Sequence, residues 1–154
     1  MVMRRKDKEI TERDRIDAII YRAKVCRLAL SRDNRPYVVP LSFGYDGKSL
    51  YFHSAESGMK IDFLRDNPEV CFEITADCKV KGGKIASDWT MRYISVIGFG
   101  RARFLEDPQS KRQGLAVLFK QYTEEPFEAP ERTIEKTAVI RVDISSITGK
   151  ISGY

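Results

Sequence analysis

Apolar residues recur along this chain with two periods, and each change of period marks an element. Ile16, Ile19 and Ile20 sit at helical spacing behind Thr11-Glu12-Arg13-Asp14, where an acid follows a hydroxyl by three residues. That capping-box-like start predicts a short amphipathic helix over residues 11–22. Residues 1–10 read as a polar N-terminal arm, and residues 11–154 as a single domain. Residues 25–30 are apolar except for Arg27 and stop at Asp33-Asn34, a turn pair. Residues 37–43 form the next predicted strand. Pro40 gives it an edge or a bulge, because proline cannot donate to a ladder. Asp46-Gly47 is a hairpin signal, and residues 50–53 return as the third strand.

A helix is predicted from near Ser57 to Asn67-Pro68, where the proline stops it. Residues 70–74 read as a strand. Residues 77–91 are mixed, with a turn at Gly82-Gly83, and residues 93–105 are the longest β-like run. Gly98 and Gly100 within it imply a bend or a close backbone approach. Asp107-Pro108 opens a helix towards Gln121, with Leu115, Leu118 and Phe119 on one face. A proline-broken loop over 124–131 precedes a final alternating strand at 138–144. Hairpin-linked strands with few helices predict a mainly β protein, an antiparallel barrel with helices at its margins.

Composition narrows the function classes. No apolar run is long enough to cross a bilayer, and the charged N-terminus has no apolar stretch behind it, so neither a membrane protein nor a secretory signal is expected. Cys26, Cys71 and Cys78 are odd in number and have no C-x-x-C spacing, which fits a reducing, cytoplasmic setting rather than disulfides or zinc. The lone histidine, His53, excludes a multi-histidine metal site, and no metal is expected. Net charge is +5, but the 22 acidic residues are interleaved with the 27 basic ones. Without a basic stripe, nucleic acid is not an expected partner.

The most informative stretch is His53 to Lys60, which joins a strand end to a helix start. The first N–H groups of a helix have no internal partners and, with its dipole, favour an anion. Ser54 and Ser57 add hydroxyls, Gly58 permits close approach, and Lys60 adds a charge. This is a phosphate cradle or an ordinary helix start capped by Ser57; spacing leaves both open. Trp89 and Tyr93 could stack on a planar ligand or make a core or subunit contact.

Several segments, taken in order, resemble one family. They are Tyr37-Val38-Val39-Pro40-Leu41-Ser42-Phe43-Gly44-Tyr45, Leu50-Tyr51-Phe52-His53-Ser54-Ala55, Gly58-Met59-Lys60-Ile61, Asn67-Pro68 and Trp89-Thr90-Met91-Arg92-Tyr93 followed by Ser95-Val96-Ile97-Gly98-Phe99-Gly100. The match is to the NimA-like nitroimidazole-resistance proteins, within the pyridoxamine 5′-phosphate oxidase-like superfamily of FMN-binding split barrels. The resemblance implies an antiparallel, Greek-key-like split β-barrel and a homodimer with FMN at its interface. It makes Ser54 and Lys60 phosphate ligands and sets Val39, Pro40 and Leu41 along the isoalloxazine. Phe52 and His53 flank the flavin, His53 being the catalytic candidate. Trp89, Arg92, Tyr93 and Ser95 come from the partner subunit. Met59 stands where oxidases of the vitamin itself have arginine, and their C-terminal arginines have no match in residues 145–154. Ile94 stands where a basic residue is common in the family.

The implied function is an FMN-dependent oxidoreductase passing electrons from reduced flavin to a small acceptor such as a nitroaromatic compound. His53 would donate the proton, because imidazole exchanges protons near neutral pH. Alternatives are a non-catalytic flavin carrier or sensor, or the same barrel holding haem or a deazaflavin.

Overall fold

Alternation along the strands builds one antiparallel sheet in the computed structural model, which describes residues 3–154. Its strands are β1 (Glu9–Ile10), β2 (Cys26–Arg32), β3 (Arg35–Leu41), β4 (Gly44–Tyr45), β5 (Ser49–Ser54), β6 (Glu69–Lys81), β7 (Thr90–Leu105) and β8 (Ala138–Ser152). The helices are α1 (Arg13–Arg22), α2 (Met59–Asp66), α3 (Pro108–Lys120) and α4 (Glu131–Glu135). The spatial order is β3-β2-β6-β7-β8-β5-β4, with β1 paired to β8. The two end strands, β3 and β4, are consecutive in the chain and joined only by residues 42–43. The sheet therefore closes through the chain rather than through a ladder, which is a split barrel.

Asp33 and Asn34 adopt positive φ, 48° and 61°, as the two-residue turn between β2 and β3 requires. Such a turn fixes which pairs exchange backbone bonds: Arg32 with Arg35, then every second pair. Pro36 and Pro40 fall at the intervening positions, where an N–H would point away from β2. Both prolines are thus compatible with β3 as a sheet edge.

Phe43, Phe52, Phe72, Leu28, Leu50, Ile74 and Ile140 fill the interior and are fully buried. Ile16, Ile19 and Ile20 of α1 join them, as their spacing predicts. Gly98 is a close approach: a Cβ there would lie 2.3 Å from the Phe72 ring.

Several boundaries differ from the sequence reading. α1 starts at Arg13 and has no side-chain cap; the Thr11 N–H donates to the Glu12 carboxylate instead. Within the segment read as a polar arm, Ile10 is buried and pairs with Gly149. β6 and β7 run on into a long hairpin around Gly82-Gly83, and β8 continues to Ser152. The fully buried residue of α3 is Gly114, whereas Phe119 stacks on Phe127 at its exposed edge.

Candidate functional site

β4 covers only Tyr51 and Leu50 of β5, so the edge of β5 from Phe52 to Ser54 has no strand beside it. β3 is the other free edge. The two edges leave a common corner at residues 42–43, and α2 lies across the split between them. Phe63 of α2 meets Tyr37 of β3 edge-on at 5.5 Å. Asn67, just past α2, donates to the Ser31 carbonyl at 3.1 Å.

The start of α2 carries unspent donors. Its N-cap is Gly58 rather than Ser57, and no side chain caps it. Gly58 has φ 124°, a conformation that favours glycine. The first helical bond is Asp62 N–H to the Gly58 carbonyl, so the N–H groups of Met59, Lys60 and Ile61 lack partners among the described residues. Neither the Ser54 nor the Ser57 hydroxyl bonds to another described group. Lys60 is half-buried, forms no ion pair among the described residues, and burial lowers its pKa. An unpaired, partly desolvated ammonium beside three free N–H groups suits a phosphate.

The other expected residues divide. Phe52 lies wholly in the core, so only its backbone reaches the free edge. Val39 and Leu41 also pack their side chains inward, while Val38 and Pro40 face outward. Along 39–41, the backbone edge and Pro40 are what face out of the barrel. His53 is exposed, shares its parity with Tyr51, and lies opposite Val139 on β8. Ser54 points to the other face.

Trp89, Arg92, Tyr93 and Ser95 sit far from this edge. Tyr93 pairs with Ser152 of β8, whereas His53 pairs with Val139. Thirteen residues of extended chain separate these β8 positions, roughly 40 Å along the strand. One chain cannot bring both groups to one flavin. Trp89 is 59% exposed and lies over Gly82 at the hairpin tip. Ser95 is buried. The Arg92 Nε is buried without a hydrogen-bond partner, and its guanidinium stands 5.8 Å over the Tyr154 ring. The sequence reading missed Lys8 and Lys150, which lie beside Tyr93. The 145–152 segment, rich in Ser, Thr and Gly, gave little β signal beyond Ile147 and Ile151.

A cleft of about 740 Å³ lies elsewhere, among Tyr21, Lys24, Tyr45, Lys120 and Tyr122. None of the expected site residues lines it. Its Asp46 carboxylate is already satisfied by the Lys48 and Ser49 N–H groups and the Tyr51 hydroxyl. No metal-ligating cluster occurs among the described residues.

The fold is a split barrel whose open edge is flanked by the uncapped start of α2. Residues 12–151 match the pyridoxamine 5′-phosphate oxidase family, and the chain belongs to it. A protein from Bacteroides thetaiotaomicron, described as a candidate 5-nitroimidazole antibiotic resistance protein, is 31% identical with a TM-score of 0.84. That match covers 93% of this chain and 86% of the other. A FAD- and haem-binding protein from Mycobacterium smegmatis shares the fold at 23% identity and TM-score 0.84, over 96% of this chain and 75% of its own. An uncharacterised protein from Rhizobium meliloti (strain 1021) is 35% identical over 65 residues, 42% of each chain. No described helix is long and apolar enough to cross a membrane.

Proposed function

We propose that the chain binds FMN in the split between β3 and β5, as a homodimer, and serves as an oxidoreductase for a small acceptor such as a nitroaromatic compound. The observation that carries this reading is the half-buried, unpaired Lys60 at the uncapped start of α2. Lys60, Ser54 and the α2 N–H groups hold the phosphate. The free edge of β3 offers the carbonyls of Val38 and Pro40 to the ring system. Bound flavin supplies the electrons. His53, exposed at the mouth of the split, holds a proton on its imidazole for the reduced product. The similarity to the Bacteroides protein supports a nitroaromatic acceptor.

The homodimer rests on the sheet's outer face. Val38, Ala29, Cys71 and Phe99 lie side by side across β3, β2, β6 and β7, with Ile97 in the next row. Val38 is 57% and Phe99 42% exposed. Ion pairs Arg27–Glu73 and Arg101–Glu69 rim this apolar stripe. An apolar centre with a polar rim is the make-up of a protein interface. A second copy also solves the distance problem, since only Trp89 and Tyr93 of the partner subunit could reach the flavin.

Titration with FMN and with riboflavin, which lacks the phosphate, tests the cradle. The wild type should prefer FMN, and Lys60→Ala should lose about tenfold of that preference while riboflavin binding holds. An unchanged preference contradicts the assignment.

A further inference from the structure

At the far end of β7 the cations outnumber their partners. Ser95 pairs with Lys150 and Tyr93 with Ser152 across the β7–β8 ladder, which sets these side chains side by side. The Lys150 Nζ stands 5.3 Å over the Tyr93 ring. The Lys8 Nζ donates to the Ser152 hydroxyl at 2.9 Å. Neither lysine forms an ion pair among the described residues. The nearby acid is Glu9, which lies across the β1–β8 ladder from Lys150 and accepts from the Thr148 hydroxyl at 3.2 Å, whereas Asp77 pairs with Ile94 and belongs to the other face. Arg92, next to Tyr93 on β7, alternates to the opposite face, where its guanidinium meets the Tyr154 ring, and lies outside this cluster.

We propose that Lys8, Lys150 and the Tyr93 hydroxyl form an anion-binding site that selects acceptors bearing a carboxylate or phosphate group. The site joins the apolar stripe, because Tyr93, Ser95, Ile97 and Phe99 share one face of β7. On the flavin reading, which the site's role rests on, this face meets the other copy's split. Lys150 and then Ser152 and Lys8 draw the Tyr93 phenol below its usual pKa. The Lys150 ammonium stands over the Tyr93 ring, which leaves both it and the Tyr93 hydroxyl free to donate to an incoming anion. Lys8 and Lys150 gather around two hydroxyls with Glu9 as the facing carboxylate across the β1–β8 ladder, and an added anion relieves the repulsion left between the two ammonium groups. On the Tyr93 face β7 carries Ser95 rather than a charge, and β8 supplies the charge from across the ladder with Lys150. The flavin phosphate does not need this site, since the start of α2 already offers donors for it.

The test compares 4-nitrobenzoate with neutral 4-nitrobenzamide, which differ in charge and not in ring chemistry. Trp89 is the one tryptophan, so quenching of its emission reads binding with no flavin present. The wild type should bind the nitrobenzoate more tightly. Lys150→Ala should weaken it about five- to tenfold and leave the amide unchanged, and Lys150→Arg should restore it. Lys8→Ala gives the same readout should Lys150→Ala not fold, and Lys120→Ala is the distant charge control. Equal affinities in the wild type, or equal losses for both ligands, overturn the proposal. So does reduced FMN retention in Lys150→Ala with nitrobenzoate affinity intact, which would mean that these cations serve the cofactor. Because quenching needs no flavin, a chain that never retains FMN can still pass or fail.

Discussion

His53 and Lys60 lie seven positions apart, and opposite losses are expected from them. His53 is exposed near the end of β5 and makes no hydrogen bond or ion pair among the described residues. His53→Ala should therefore keep FMN bound and melt as the wild type does, while turnover of a nitroaromatic acceptor falls at least about tenfold. Equal turnover removes its role as proton donor. Asp46 shows a different kind of residue effect. Burial works against its carboxylate, yet the N–H groups of Ser49 and Lys48 and the Tyr51 hydroxyl overcome it and hold the pKa below the ordinary value. A depressed carboxyl stabilises the fold above its unfolded pKa of about 3.9, and that contribution disappears as pH falls through the folded value. Asp46→Ala should cost about 1–2 kcal/mol at neutral pH through its lost hydrogen bonds. Its melting temperature should then fall less than the wild type's on acidification from pH 5 to 2. Parallel acid curves contradict this account.

α2 shows what an element adds that its residues do not show singly. Its start was legible in the sequence because Gly58, Lys60 and Pro68 bracket it, but its cap was not. Serine at 57 is the better capping residue type. Gly58 takes the position because the chain leaving β5 must turn through φ 124° to lay α2 across the split. A Cβ at Gly58 would meet nothing within 4 Å, so Gly58→Ala strains the backbone and touches no neighbour. The variant should lose FMN affinity by about tenfold and keep the core's cooperative melt; unchanged affinity would show that the turn does not shape the cradle. The β8 extension shows the converse. Residues 146–152 pair along β7, with Ser145 left over at a bulge, although Ser146 and Gly149 weaken the strand pattern, because tertiary pairing outweighs local propensity. That unread stretch is why Lys150 escaped the sequence reading.

At the scale of the molecule, the barrel and its helices were legible because hairpin signals at Asp33-Asn34 and Asp46-Gly47 are local. The long order β3-β2-β6-β7-β8-β5-β4 was not, since it depends on pairs distant in sequence. The same topology explains why four of the eleven expected site residues lie apart from the rest: His53 and Tyr93 attach to opposite ends of β8. On the homodimer proposal, a second copy packed on the apolar stripe would reconcile them. Phe99→Arg places a charge at the centre of that stripe and should turn a dimer into a monomer in sedimentation equilibrium, with FMN retention falling alongside. A wild-type monomer, or a variant that stays dimeric, contradicts the interface. The most direct test of the central claim is the visible absorption spectrum of the purified protein after incubation with FMN and desalting. The account predicts retained flavin bands at about one FMN per chain, and their loss in Lys60→Ala. A colourless wild-type protein would contradict the cradle and turn attention to haem or a deazaflavin in the same barrel.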